Sequence, residues 1–313
     1  MRSLMRTLAL FGLVAFGFLA IAPSVHAQCK LSFGTVPQFQ WRGAGTGYNP
    51  FDTTTYNQEG TIDIRNGGNG SCQYFVTISE GNANDFNRYL EANGERLPYN
   101  IYDDVSQSNI LKDLPTATVN EILVGSFSTK ETQRLTYSVS IPPGTVLPRA
   151  AYRDGVRLRL YEGTLGSHTL KNTKGLSLRA RIPEVAEVAV VPTGAPFDES
   201  ATSFTVNFGV LQEGERERFD MLVRTNAGYR VLMSSTNRGV LERVGGASGV
   251  VPYEMTIDGR LIDLSARSVT VATKNGVTGI AGDRFAVEVD VGTLADAVPG
   301  TYRDDITITV KTN

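Results

Sequence analysis

Apolar and polar residues alternate with a period of two along most of the chain after residue 27. This period is typical of β-strands that bury one face. Clusters of Gly, Pro, Asn and Asp separate the alternating runs, and no stretch keeps a helical period for more than about two turns. The pattern predicts an all-β fold of short antiparallel strands in a sandwich or barrel. The clearest predicted strands are 61–65, 74–78, 135–141, 156–161, 176–180, 203–208, 285–291 and 306–310.

Four short motifs occur twice in the same order, which indicates an internal repeat. Together with a length of 313 residues, the repeat predicts two copies of one β-domain, 28–184 and 185–313, joined near residues 181–184. The matched pairs are Leu31–Gly34 with Val206–Gly209, Tyr74–Ser79 with Tyr229–Ser234, Leu97–Tyr99 with Val251–Tyr253, and Tyr152–Asp154 with Tyr302–Asp304.

The Tyr-Arg-Asp motif stands just before a strand in both copies, at Tyr152–Asp154 and Tyr302–Asp304. We interpret it as a turn in which the Asp accepts backbone N–H groups and the Tyr packs on the end of the sandwich. A charged functional site is the alternative, and recurrence in two domains favours the structural interpretation.

The two copies differ after this motif. Copy 1 continues through a loop at 163–174 into a further strand at 176–182, whereas no further strand follows 306–310 in copy 2. An incomplete sandwich exposes an apolar groove and an unpaired edge, which can accept a strand from another chain. The alternative is that residues 188–191 close the sheet internally. The expected groove is lined by Phe204, Val206 and Phe208 of the first strand and by Ile306, Ile308 and Val310 of the last.

Residues 1–27 read as a secretory signal peptide. A basic start at Arg2 and Arg6 precedes an apolar run of about 15 residues and a small-x-small motif that ends at Ala27. A membrane anchor is the alternative, but a spanning helix needs about 20 apolar residues. We therefore expect an exported protein whose first strand begins at once, with no N-terminal extension to donate. Such a subunit would stand at one end of a polymer.

Cys29 and Cys72 are the two cysteines of the chain. In an oxidising compartment an even pair predicts a disulfide, here between the start of copy 1 and a strand some forty residues later. A reactive cysteine is the alternative, but it lacks both a Cys-x-x-Cys spacing and a neighbouring histidine.

Charge and residue chemistry argue against several classes of function. With 30 basic and 32 acidic residues, the chain shows no footprint for nucleic acid or an anionic membrane. His168 is the one histidine after residue 27, and the adjacent carboxylates at 103–104 and 304–305 read as turn residues. Gly43–Gly47 lacks the strand and helix of a nucleotide site. We predict no catalytic residues, no metal site and no cofactor.

Several motifs together resemble the spore coat protein U domain family: Cys29–Gly34, Leu97–Tyr102, Ser234–Leu241, Val251–Tyr253 and Gly300–Val310. A two-domain member without a donor segment resembles the tip adhesin of archaic, Csu-type chaperone–usher pili. The resemblance implies two immunoglobulin-like, pilin-type sandwiches, the second lacking its last strand. It also implies a periplasmic chaperone, an outer-membrane usher and a strand-donating next subunit as partners, with a final location on the cell surface. Copy 2 departs from copy 1 in having no cysteines.

Adhesion is expected at the free end of copy 1. By strand parity, that end holds the loop with Leu165 and the loop 104–118 with Ile110, Leu111 and Leu114. A second candidate is an aromatic surface at Phe39, Trp41 and Phe51, although this loop could equally fold back over the core near the domain junction. An abiotic surface, a glycan or another cell are the candidate targets. The competing functions are a non-adhesive structural subunit of a pilus or coat, and a secreted enzyme or carbohydrate-binding sandwich.

Overall fold

The computed structural model describes residues 28–41, 47–246 and 249–313. Over these ranges the chain forms 21 strands, accompanied by a 3-10 turn at Val119–Glu121. None of the helical segments in this part of the chain has the length and hydropathy needed to cross a lipid bilayer. The predicted signal peptide lies outside the described residues.

The first eleven strands form two facing sheets around one apolar core, which we call the first sandwich. One sheet has the order β1-β3-β9-β7, and the other has the order β2-β11-β10-β4-β8, with β5 and β6 attached to β10. The strands are β1 (Leu31–Phe33), β2 (Phe39–Trp41), β3 (Tyr56–Asn66), β4 (Cys72–Ile78), β5 (Tyr89–Ala92), β6 (Glu95–Pro98), β7 (Asn100–Tyr102), β8 (Leu123–Phe127), β9 (Thr132–Ile141), β10 (Ala150–Thr164) and β11 (Ser167–Ile182).

The remaining ten strands form the second sandwich around a separate core. Its larger sheet has the order β12-β13-β19-β16-β15-β20, with β17 attached to β16, and its smaller sheet has the order β18-β14-β21. The strands are β12 (Ala186–Pro192), β13 (Arg216–Thr225), β14 (Tyr229–Ser235), β15 (Val240–Arg243), β16 (Val250–Ile257), β17 (Arg260–Ile262), β18 (Val269–Lys274), β19 (Asp283–Val291), β20 (Tyr302–Arg303) and β21 (Ile306–Thr312).

The predicted all-β fold is confirmed, with two differences in detail. Residues 203–208 were expected to form a strand, but they pair with no other strand of the described chain. Residues 163–174 were expected to form a loop, but β10 and β11 instead form a long hairpin that turns at Leu165 and Gly166. The loop prediction was wrong because polar residues such as Lys171 and Asn172 also suit a solvated strand that projects beyond the core.

The Asp of the Tyr-Arg-Asp motif accepts a backbone N–H in both sandwiches, as predicted. The predicted turn was wrong, because Tyr152–Asp154 lie within β10 and Tyr302–Arg303 form β20. Asp154 accepts the backbone N–H of Asn82 (2.9 Å) and the hydroxyl of Tyr99 (2.5 Å). Asp304 correspondingly accepts the N–H of Asn237 (2.9 Å) and the hydroxyl of Tyr253 (2.6 Å). The recurring Pro-Tyr and Tyr-Arg-Asp motifs are therefore two ends of one hydrogen-bonded junction.

One of the four repeat matches was wrong in register. The side chain of Asn66 accepts the N–H of Lys30, just before β1, and Asn226 accepts the N–H of Val185, just before β12. Strand β1 pairs antiparallel with β3, as β12 does with β13. The counterpart of β1 is thus β12 rather than the segment 203–208.

The chain is fastened at the start of each sandwich by different means. Cys29 and Cys72 form the predicted disulfide. In the second sandwich, Asn226 donates to the carbonyls of Leu147 (3.2 Å) and Pro183 (2.7 Å). This buried side-chain amide joins the two sandwiches at the position where the first sandwich has its disulfide.

Candidate functional site

Strand β21 is paired along one side only. In the first sandwich β10 lies between β4 and β11, and both neighbours are antiparallel to it. The corresponding strand β21 pairs with β14 from Ile306 to Thr312, and no strand within 28–41, 47–246 or 249–313 pairs with its other side. The second sandwich therefore has an open edge where the first has β11.

Side-chain burial shows the same difference at equivalent positions. The inward-facing Val156, Leu158 and Leu160 of β10 are 1%, 0% and 0% exposed. Their counterparts on β21 are half-buried, although they pack against the core of the second sandwich. The apolar face of β21 that would line the expected groove is thus only partly covered. Those counterparts are Ile306, Ile308 and Val310.

The segment 203–208 forms the opposite wall of this groove. Val206 and Phe208 are half-buried against the same core, whereas Phe204 is exposed and its ring lies 5.2 Å from that of Phe219. In the first sandwich the corresponding wall is β2, which pairs parallel with β11. In the second sandwich, no strand of the described residues occupies the place that β11 takes beside β2.

Strand β12 does not close the groove. It is hydrogen-bonded to β13 in the opposite sheet, from the Ala186–Thr225 pair to the Pro192–Phe219 pair. It makes no strand pairing with β21, although the hydroxyl of Thr312 donates to Glu184, just before β12. The internal closure by 188–191 is therefore absent.

The prediction of an exposed aromatic surface was wrong, because its three side chains are buried. Phe39, Trp41 and Phe51 belong to the interior. Strand β2 turns Phe39 toward Gly60, where a Cβ would lie 2.4 Å from the ring, and the Phe39 ring packs edge-on against Tyr137. The alternative holds: this loop covers the core.

The expected adhesive loops are also partly corrected. Leu111 is 0% exposed, and its N–H donates to the carbonyl of Ile101. Ile110 is half-buried and forms an isolated bridge with Tyr102. Both residues are drawn inward because buried Arg88 donates to the carbonyl of Leu111 at 2.7 Å.

Leu114 and Leu165 lie at the same end of the first sandwich, as strand parity predicted. Both are half-buried and pack over Phe75, Ile122 and Tyr161 on the outward face of the larger sheet. The hairpin tip of β10–β11 and the loop 112–121 therefore meet at one place.

Four apolar side chains form a row across neighbouring strands at this end of the larger sheet. This row was not predicted from the sequence. Tyr161 of β10 is the register partner of Leu170 on β11 and of Phe75 on β4, and Phe75 is the partner of Val124 on β8. The two rings stack with centroids 4.9 Å apart and are covered, whereas Leu170 and Val124 are 49% and 57% exposed. We call these four residues the apolar row. Aromatic residues at outward positions of alternating strands were the available signal.

Charged groups fix the loop beside the apolar row. Asp113 is buried, accepts the hydroxyl of Thr77 at 2.6 Å and pairs with Arg159. Lys112 donates to Glu121 at 2.5 Å, and Thr118 donates to the same carboxylate. These bonds lower the pKa of Glu121 to about 2, with the Lys112 hydrogen bond as the largest cause.

The remaining candidate chemistry is structural. The Nδ1 atom of His168 lies 3.1 Å from the carbonyl of Leu165, and its ring packs edge-on against Phe75 and Tyr161. Glu162 lies near Cys29 and Cys72, but both sulfur atoms are bonded to each other and offer no thiolate to a metal.

Comparisons with known proteins add a family and a set of similar folds. The family model of the Spore Coat Protein U domain matches residues 15–159. No curated protein sequence matches the chain significantly.

Solved structures similar to this one include pilus proteins from three bacteria. The CsuC–CsuE chaperone–tip adhesion subunit complex from archaic chaperone–usher Csu pili of Acinetobacter baumannii is 13% identical, with 90% of this chain and 100% of that chain covered and a TM-score of 0.43. The CupB6 tip adhesin of Pseudomonas aeruginosa is 11% identical, with 91% and 96% covered and a TM-score of 0.38. CfaE, the adhesive subunit of CFA/I fimbria of enterotoxigenic Escherichia coli, is 12% identical, with 90% and 81% covered and a TM-score of 0.34.

Proposed function

We propose that this protein, whose residues 15–159 match the family model of the Spore Coat Protein U domain, is an adhesive tip subunit of an archaic chaperone–usher pilus. In this proposal the second sandwich joins the fibre by accepting a donor strand, and the first sandwich binds a surface. The protein is a binding subunit rather than an enzyme. Its partners are a periplasmic chaperone, an outer-membrane usher and the next subunit, and its destination is the cell surface.

The observation that carries the proposal is the half-burial of Ile306, Ile308 and Val310 on the open edge of β21. An unpaired edge beside an apolar groove is a template for strand addition, in which backbone hydrogen bonds give affinity and alternate side chains fill the groove. Completing the burial of these three side chains is worth about 1 kcal/mol each.

The first sandwich supplies the expected geometry of the donor. There β11 runs antiparallel to β10 and parallel to β2, and its inward Leu176, Leu178 and Ala180 are buried. A donor in the second sandwich would accordingly run antiparallel to β21 and parallel to 203–208. It would need apolar residues at every second position.

A peptide with the sequence of residues 175–182 tests this proposal, because it copies the chain's own completing strand. At 100 times its Kd, a ligand specific for the folded state stabilises it by about 2.7 kcal/mol. We therefore expect the second sandwich to melt about 10 °C higher. The matched control is the same peptide with aspartate in place of the residues copied from Leu176 and Leu178. Equal melting temperatures with and without the first peptide would contradict strand acceptance.

The apolar row supports an adhesive role for the first sandwich. Exposed Leu170 and Val124 flank the covered rings, and Val119, 63% exposed, stands on the adjoining 3-10 turn. Exposed apolar side chains grouped in this way mark interaction surfaces. We propose that this end of the first sandwich, including Leu114 and Leu165, binds an apolar surface.

The adhesion test changes exposed residues that the fold does not need. Val119→Ser, Val124→Ser and Leu170→Ser together should reduce retention of the protein on polystyrene several-fold. Val210→Ser is the control, because Val210 is 85% exposed on the second sandwich. Unchanged retention of the triple variant would favour a structural subunit without an adhesive role.

A further inference from the structure

The outward face of the larger sheet in the first sandwich carries a second surface, nearer the junction with the second sandwich. Strand β10 alternates between buried residues, such as Tyr152 and Val156, and outward residues. Toward the junction, four outward positions of β10 and β11 are arginines. We call Arg153, Arg157, Arg179 and Arg181 the arginine face.

Two of these arginines oppose each other directly. Arg153 and Arg179 are register partners on neighbouring strands, which brings their Cβ atoms to about 5 Å. Like charges at such a pair destabilise the sheet. None of the four arginines has a carboxylate within salt-bridge distance among the described residues, although Glu91 is the register partner of Arg153 on the other side. The face therefore carries uncompensated positive charge.

The second sandwich shows that the fold does not require this charge. Arg303 corresponds to Arg153, and it is paired with Asp305 at 2.7 Å. The position of Asp305 is occupied by Gly155 in the first sandwich, and that of Arg157 by Thr307 in the second. The same strand thus carries a neutral outward face in one copy and a basic one in the other.

Small residues form an open floor between the arginines. Gly155 is the partner of Ser177, and Arg157 is the partner of Gly175. No other heavy atom lies within 4 Å of the place a Cβ would take at Gly155 or Gly175. The floor is therefore open, with the Arg153–Arg179 pair at one end of it along the strands and Arg157 at the other.

We propose that the arginine face binds an acidic polysaccharide. Its carboxylates or sulfate esters would lie between the opposed guanidinium groups, which bind such planar or tetrahedral anions through paired hydrogen bonds. A sugar ring would lie on the floor of Gly155, Gly175 and Ser177. This surface acts independently of the open edge of β21 and of the apolar row.

Side-chain type favours a polysaccharide over single-stranded nucleic acid. Single-stranded nucleic acid is bound by aromatic side chains that stack on the bases, and the four residues of the arginine face include none. Duplex DNA is distinguished from an acidic polysaccharide by the binding test.

The test measures binding of the full chain to four probes: polygalacturonate, dextran sulfate, neutral dextran and duplex DNA. We expect polygalacturonate or dextran sulfate to bind, and the comparison between them identifies carboxylate or sulfate as the anion. Gly155→Asp with Arg157→Thr copies the second sandwich and should weaken binding at least tenfold. Arg267→Gln removes an exposed charge of the second sandwich and should leave binding unchanged.

A stability measurement separates a binding role from a structural one. Arg179→Gln relieves the like-charge pair, so it should keep or raise the melting temperature at low salt, and this gain should vanish at 0.5 M salt because the repulsion is screened. Equal binding of neutral dextran, tighter binding of DNA, unchanged binding by the double variant, or a lower melting temperature of Arg179→Gln at low salt would each overturn the proposal.

Discussion

The two sandwiches share a plan, yet the same strand is complete in one and exposed in the other. Strand β10 has neighbours on both sides and buries Leu158 fully, whereas β21 has one neighbour and leaves Ile308 half-buried. The Tyr-Arg-Asp motif lies within β10 in the first sandwich and just before β21 in the second, and its Asp makes the same hydrogen bonds in both. The difference shows that burial at an alternating position depends on whether the next strand is present as well as on the residue itself.

Replacing Arg88 is expected to give the largest difference between the two sandwiches in the free energy of unfolding. It is buried and donates to the carbonyls of Ile78, Ser79 and Leu111 and to the side chain of Asn100, with its pKa lowered to about 10 by burial. Arg88→Met would leave these acceptors unpaired at a cost of about 3 to 5 kcal/mol in the free energy of unfolding. The control is Arg238→Met, at the exposed Asn-Arg pair of the second sandwich, with an expected change within about 0.5 kcal/mol. Denaturant unfolding measures both, and equal effects would contradict the asymmetry.

The matched positions Leu158 and Ile308 test the open edge more directly. Leu158→Ala should cost about 3 kcal/mol, and Ile308→Ala about half of that, because half of its side chain is already in water. Adding the 175–182 peptide should bring the cost of Ile308→Ala up to that of Leu158→Ala. Guanidinium chloride titrations with and without the peptide supply the four values. If the peptide leaves the cost of Ile308→Ala unchanged, it does not cover β21.

The paired tyrosines test what the two sandwiches have in common. Tyr99→Phe and Tyr253→Phe each remove a hydrogen bond to a carboxylate, which is worth about 2 kcal/mol. We expect similar losses in the free energy of unfolding, because Asp154 and Asp304 accept equivalent hydrogen bonds in the two sandwiches. A loss in one sandwich alone would show that the junction is not equivalent in the two copies.

The smallest expected effect is a pH response confined to the first sandwich. The pKa of Glu121 is lowered to about 2 in the folded state by Lys112 and Thr118. The stabilisation is therefore complete above the ordinary pKa of about 4.5 and is lost as the pH falls toward 2. Amide hydrogen exchange of residues 112–121 should accelerate across this window. Glu121→Gln should remove the pH dependence, since it abolishes the titration.

The sequence predicted the features that depend on local pattern. The strand period and the disulfide are set by residues close in sequence or by pairing rules, and the structure has them at the expected places. The strand predicted at 203–208 is not formed, because alternation cannot report whether a pairing partner exists.

The candidate site was harder to predict because apolar character does not reveal direction in a loop. Leu111 and Trp41 stand in polar, Gly-rich surroundings, yet hydrogen bonds and rings elsewhere in the chain turn them inward. Phe75 and Tyr161 were missed for the opposite reason. Each lies within a strand, but at an outward position, and only the register brings them together with Leu170 and Val124.

The short connection between β11 and β12 has a mechanical consequence. Only residues 183–185 separate the end of β11 from the start of β12, a span of about 10 Å when extended. Asn226 holds this connection at the carbonyl of Pro183 and the N–H of Val185. Tension applied to the first sandwich therefore reaches β12 with little slack. When the pull is directed along that strand, the ladder from Ala186 to Pro192 carries the load in shear, with its hydrogen bonds resisting together.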